Sequence, residues 1–289
     1  MKKMFKFLML LLALIFGFEA LSQTGVDLGL NNKKDFVSIE TLNRADRNKI
    51  EDYFITDNDT LVNLRNEISK EELKLFCHYY TDDTLISNYK TAVFHYASNK
   101  DKKQKSYQWN CDIDVYVDSA IPKKIKKDFI KFYSSLNHIN NLKINFVNDV
   151  EESNYIIKLS DTLISNYKMG RHKNPELHPL SKIAYNMLAD DNKKFLGGIA
   201  KIDLDHLSDK SLLLQKLKQM FFISLGQFIV NETFHETSLL SPNYKNNETI
   251  SNEDLDLLKI HYIKIYDKPL SAFTINELIE KSKSFCENE

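Results

Sequence analysis

Apolar and polar residues change period several times along the chain, and each change marks an element. Ile113, Val115 and Val117 alternate with polar residues, the period of a strand with one buried face. Pro122 follows where proline is tolerated, in the first turn of a helix. Ile125, Phe129, Phe132 and Leu136 then recur at spacings of 4, 3 and 4, one face of that helix. Leu142, Ile144 and Phe146 return to alternation, and Tyr155–Leu159 predicts a third strand. Ser160 to Lys194 is a long polar connection. After the pair Gly197-Gly198, Ile199–Leu204 predicts a fourth strand. From about Ser211 to Asn231 the chain is apolar almost all round, which predicts a buried helix. The order strand, helix, strand, strand, strand, helix predicts an α+β (or α/β) fold. Its parts are a mixed twisted sheet of about four to five strands, a buried helix of the active-site type and a C-terminal helical part.

Upstream the pattern is plainer. Thr41–Phe54 and Ser69–Tyr80 have amphipathic spacing and predict helices. Lys100–Lys105 is a run of charge and amide that predicts an exposed loop and the domain boundary. Residues 23–105 are therefore expected to form a mainly helical N-terminal extension, and 106–289 the principal domain. The octapeptide Asp-Thr-Leu-Ile-Ser-Asn-Tyr-Lys occurs twice, at 83–90 and 161–168, with unmatched flanks. Two copies do not make a solenoid, and no function attaches to them.

The beginning of the chain changes the compartment. Lys2, Lys3 and Lys6 precede or enter an apolar block from Phe7 to Phe18, and Ala20-Leu21-Ser22 supplies small residues before a cut at Gln23. Residues 1–22 are thus expected to be a cleaved secretory signal. The apolar block is shorter than the roughly 20 residues of a spanning helix. With no cysteine near the cut, a lipoprotein is not expected. Without that leader's three lysines and one glutamate, the 39 basic and 40 acidic residues leave a net charge of −3. Such a balance gives no ground for nucleic acid as a partner, and no later stretch predicts stable membrane insertion. The expected location is periplasmic or extracellular. An exported chain with Cys77, Cys111 and Cys286 is expected to form one disulfide and keep one thiol, in a pairing the sequence leaves open.

Candidate chemistry concentrates on the buried helix. Ser224, Gln227 and Asn231 interrupt its second half at spacings of 3 and 4, which puts them on one face. That polar stripe either lines a cleft or completes internal hydrogen bonds. Gly226 lies mid-helix, where glycine costs roughly 1 kcal/mol against alanine, so close packing is expected there.

Taken together, several stretches between Trp109 and Tyr266 resemble the metzincin class of zinc peptidases and bacterial exported families of unknown function with that outline. Ser153-Asn154-Tyr155-Ile156 stands where the class has an Ala-Asp-Ile strand, and Gly198-Ile199-Ala200-Lys201-Ile202 looks like its edge strand. Leu225-Gly226-Gln227 falls where the active helix reads Leu-Gly-His. Ser238 to Tyr244 is similar to the Met-turn, with Leu240 in the methionine place followed by Ser241, Pro242, Asn243 and Tyr244. Ser251-Asn252-Glu253-Asp254-Leu255 begins a final helix ending at His261-Tyr262, and a serine three residues before an acid is also an N-cap signal.

The class holds zinc with His-Glu-x-x-His and a third histidine six residues on, the glutamate acting as base. Carried onto this chain, those places hold Ile223, Ser224, Gln227 and Thr233, none of which supplies that chemistry. What the resemblance implies is an inactive metzincin-like domain binding a peptide, protein or glycan in its cleft. Ser224, Gln227, Asn231, Ile199, Ala200 and Ile202 would line that cleft, with extended ligand pairing along the edge strand. No cofactor is expected on this reading. The alternatives are an active peptidase with an atypical metal site using His206, His235 and a carboxylate, which would bring zinc back, and a non-enzymatic surface interaction module. His172 and His178 have no spacing that suits a shared metal. Asp203, Asp205 and His206 near a strand end could gather a cation, though such residues also serve simply to solvate a ladder end. No nucleophile elbow, Walker loop or dinucleotide glycine pattern is present.

Overall fold

The computed structural model describes residues 36–48, 50–64, 68–94, 105–162, 164, 181–203 and 209–288. The expected leader and all of the charged run but Lys105 lie outside these residues. The chain divides into two compact units, residues 1–69 and 70–289.

In the first unit, β1 (Phe36–Ser38), a single helical turn α1 (Arg44–Arg47), β2 (Ile50–Ile55) and β3 (Thr60–Leu64) follow in order. The strands form an antiparallel sheet in the order β1-β3-β2. The helix expected over Thr41–Phe54 is thus one turn and a strand. Asn43 caps that turn by accepting from the Asp46 N–H at 2.9 Å. Beyond it the β-branched and aromatic residues Ile50, Tyr53, Phe54 and Ile55 favour a pleated strand over a helix. A hairpin returns the chain, with Thr56 N–H bonded to Asp59 O at 2.8 Å and Thr56 Oγ1 accepting from Asp59 N–H at 3.0 Å. The part of the expected extension within the first unit is therefore built mainly of strands, and its longer helices belong to the second unit.

The second unit begins with α2 (Lys70–Phe76) and α3 (Asp83–Phe94), ahead of the boundary expected near 105. Helix α2 packs on α7 (Ala272–Cys286), and α3 on α6 (Asn252–His261). A disulfide joins Cys77 to Cys286 and leaves Cys111 as the free, exposed thiol. These long-range ties outweigh the polar run that suggested a later boundary. The first octapeptide copy opens α3, with Ile86 and Tyr89 buried. The second follows a strand and lies mostly outside the described residues.

Between those helices run β4 (Gln108–Trp109), β5 (Ile113–Val117), α4 (Lys123–Tyr133), β6 (Ile144–Val147), β7 (Tyr155–Leu159), β8 (Ile183–Ala189), β9 (Lys194–Ile202) and α5 (Lys210–Gly226). The sheet is mixed and six-stranded, with β6-β5-β7-β9 parallel and β8 antiparallel to β9. Ile199 pairs with Ile156 on one side and Asn186 on the other, so β9 is an interior strand. The edge expected at Ile199–Leu204 belongs instead to β8, which lies within the expected polar connection. Short β4 runs parallel to the start of β9.

One face of the sheet carries the core. Val115, Val117, Tyr155, Ile157, Ala200 and Ile202 are buried there with Ile125, Phe129 and Tyr133 of α4 and Leu217, Met220 and Phe221 of α5. Phe221 is the hub, its ring centroid 5.5 Å from Phe129, 4.7 Å from Tyr133 and 5.2 Å from Tyr155, all edge to face. Of the four apolar residues expected on one face of α4, Leu136 falls on the 3-10 turn that follows, and all four are buried.

The disulfide closes a loop with a sequence separation of 209. Cys286→Ser is expected to lower unfolding stability by about 2–5 kcal/mol. Urea unfolding measures it, and an unchanged midpoint would show that the bond contributes nothing.

Candidate functional site

Helix α5 is where catalytic groups would be expected, and almost all of its second half is consumed in packing. Asp209 opens it by accepting from the Ser211 and Leu212 N–H groups. From Lys216 to Gly226 every residue is buried. Inside that shell Ser224 Oγ donates to Phe221 O at 2.7 Å, and Ser224 O accepts from Trp109 Nε1 at 3.3 Å. Ser224 therefore completes internal hydrogen bonds and lines no cleft.

The helix stops at Gly226, five residues short of the expected end. Gln227 takes a left-handed conformation (φ 53°, ψ 40°), and Phe228 N–H returns to Ile223 O at 3.0 Å. This reversal lets Phe228 fold back against the helix. A Cβ on Gly226 would lie 2.4 Å from the Phe228 ring and 2.8 Å from His261 Nε2, so glycine is required by close approach. Gln227 is exposed, while Asn231 is half-buried in the loop beyond. There Asn231 N–H donates to Leu240 O, and its Oδ1 accepts from Thr233 N–H at 2.9 Å. Ser224, Gln227 and Asn231 thus share no helical face. On β9, Ala200 and Ile202 are buried in the core and Ile199 is half-buried on the opposite face.

The segment Ser238–Tyr244 forms a turn locked against α5 and α6. Gln219 Nε2 donates to Leu239 O and Ser241 O at 3.1 and 2.8 Å, and Gln215 Nε2 to Tyr244 O at 2.8 Å. Leu240, Ser241, Pro242 and Tyr244 are buried, and Asn243 is exposed. From α6, Asp254 accepts from Ser238 Oγ at 2.6 Å, Leu239 N–H at 2.8 Å and Ser251 Oγ at 2.8 Å. Ser251 is the N-cap the sequence predicted, bonded to Asp254 N–H at 3.2 Å. Burial outweighs these donors and pushes the Asp254 carboxyl up to about 6.

His261, at the other end of α6, entered the sequence reading only as a helix end. Its Nε2–H donates to Tyr107 O at 2.7 Å, because a carbonyl can only accept. Its Nδ1 faces Tyr89 OH at 3.3 Å. Burial, with Lys194 nearby, holds its pKa down to about 4, so it is a neutral core histidine. Beside it Gln108 Nε2 donates to His261 O and Lys264 O, and Gln108 Oε1 accepts from Lys194 Nζ at 3.1 Å. The mid-helix glycine that His261 packs against was the only sequence signal for this cluster.

Two of the metal candidates, His235 and Asp203, lie among the described residues, and they share no site. His235 is exposed and bonds within its own loop, to Thr237 Oγ1 at 2.9 Å. Asp203 is buried and accepts from Ile164 N–H at 2.7 Å. His172, His178, Asp205 and His206 lie outside the described residues. Among the described residues no three His, Cys, Asp or Glu side chains stand where they would share a metal ion, and no helix is long and apolar enough to cross a membrane. No protein family, no curated protein and no solved structure matches the chain.

Asp254 and His261 give opposite pH dependences. With its carboxyl pKa raised, Asp254 favours the folded state below about 4, and that preference is lost as pH rises through 6. With its imidazole pKa depressed, His261 contributes stability present above 6.5 and lost as pH falls toward 4. The two oppose each other over pH 4–6. Asp254→Asn, which keeps an acceptor for Leu239 and a donor for Ser238, is expected to steepen the loss of stability in acid. His261→Gln is expected to flatten or reverse it. Urea unfolding at several pH values measures both, and parallel wild-type and variant profiles would refute the assignment.

Proposed function

We propose that the protein is an exported binding module with a metzincin-like frame and no peptidase chemistry, and that its ligand is an extended polypeptide laid along β8. The observation that carries this is the edge itself. Strand β8, Ile-Ala-Tyr-Asn-Met-Leu-Ala, has no charged side chain and no proline, and among the described residues it is paired with β9 alone. Edge strands left without partners are commonly blunted by charge, proline or bulges. The irregularity near the end of β8 places the extra residue, Leu196, on β9. An unblunted edge offers main-chain hydrogen bonds to an extended chain, the recognition mode of strand addition.

The remaining parts of the reading have separate supports. For the metzincin-like frame they are the strand–helix–strand–strand order, the buried helix and the locked turn at 238–244. Against peptidase chemistry stand Ile223 and Ser224, both buried, and Gln227, which has left the helix. Export is supported by the Cys77–Cys286 disulfide, a bond that persists in oxidising compartments.

Fluorescence anisotropy with uncharged, extended heptapeptides, on protein diluted until it sediments as a monomer so that the β8 edge is open, tests the reading. Binding is expected, and it is expected to weaken about tenfold or more when alternate peptide nitrogens are methylated, the loss of one to two hydrogen bonds. Met187→Pro, at the edge of the sheet, should have the same effect on the unmodified peptide. Equal binding of methylated and unmethylated peptides, or no binding of any peptide, would overturn it.

A further inference from the structure

The composition of β8 also says what kind of strand it fits. Asp203 N–H donates to Lys182 O at 2.9 Å, and Asp190 N–H to Lys194 O at 2.9 Å. By the alternation of an antiparallel ladder, Ile183, Tyr185, Met187 and Ala189 then direct their N–H and C=O groups away from β9. The side chains alternate in step with these groups. Ile183, Tyr185 and Met187 share a face with Ile202, Ala200 and Gly198, while Ala184, Asn186 and Leu188 stand on the other face and are exposed. Leu188 is 48% exposed.

Resting on the reading of β8 as a pairing edge, we propose that its partner is β8 of a second copy of this chain, antiparallel about a two-fold axis through Asn186. That register sets Ile183 opposite Ala189 and Tyr185 opposite Met187, so every outward main-chain group meets one of opposite kind. On the exposed face it sets Leu188 over Ala184 of the second copy, covering an apolar side chain that is otherwise half in water. No like charges meet along the strand, because it carries none. Immediately beyond its ends, Lys182 of each copy stands opposite Asp190 of the other, which gives the pairing charge complementarity at both ends. The contact is isologous and closes on itself, joining two six-stranded sheets without leaving a further β8 edge to propagate.

Asn186 faces its own symmetry mate at a non-hydrogen-bonded position, where side chains approach most closely. Asn186→Lys and Asn186→Asp each place two like charges there, on an exposed residue whose substitution leaves the core intact. Sedimentation velocity over a concentration series reads the outcome. The purified protein is expected to sediment as a dimer, each variant alone as a monomer, and an equimolar mixture of the two variants as a dimer again. A wild-type monomer throughout, or variants that dimerise as the wild type does, would overturn the proposal. A monomer that still binds unmethylated heptapeptide in preference to methylated would sink self-pairing and leave the edge reading standing. A monomer that binds neither would sink both.

Discussion

From Lys216 to Gly226 every residue of α5 is buried, so every side of that helix needs a neighbour. The sheet and α4 supply one side through the rings around Phe221. The 238–244 turn supplies another through Gln219, and α6 holds that turn by Asp254. Trp109 and Tyr262 close the end, Trp109 donating to Ser224 O and Tyr262 OH to Leu225 O. Polar residues within the helix are tolerated because each reaches an acceptor. Lys218 Nζ donates to Asn246 Oδ1 and Asn247 O and lies 4.2 Å from the centre of the Phe132 ring. Burial still lowers its pKa to about 8, the expected cost of taking an ammonium out of water.

This enclosure decides what the helix can do. A catalytic helix must present polar side chains to a substrate, whereas here the serine bonds inward and the glycine is pressed against Phe228 and His261. Gln227 faces water after the chain has left the helical path. The proposed binding edge lies on the sheet instead, where β8 keeps one row of main-chain groups unpaired among the described residues. Function on this account belongs to backbone and register, with the helix as the strut that fixes them.

Much of the fold was legible because burial writes itself into periodicity. The alternation of Ile113, Val115 and Val117, the face of α4 and the all-round apolarity of α5 each report an element packed on the core. Ser251 and Gly226 were legible through local chemistry, a cap and a close approach. Other features were hidden by physics that spacing does not carry. The end of α5 depends on Gln227 adopting a left-handed conformation, which glutamine does not announce. Strand β8 was concealed because only one of its faces is covered, at Ile183, Tyr185 and Met187, and the other exposes an apolar leucine. The strand at 50–55 had amphipathic residues that suit either period. The pairing of Cys77 with Cys286, 209 positions apart in sequence, depends on α2 and α7 being packed together.

The central claim of the proposed reading is that the end of α5 is a packed strut without a metal site. Elemental analysis of the purified protein after exhaustive dialysis tests it most directly. The account predicts zinc and other transition metals well below one equivalent per chain. One equivalent of zinc that survives dialysis would contradict it and restore the peptidase reading.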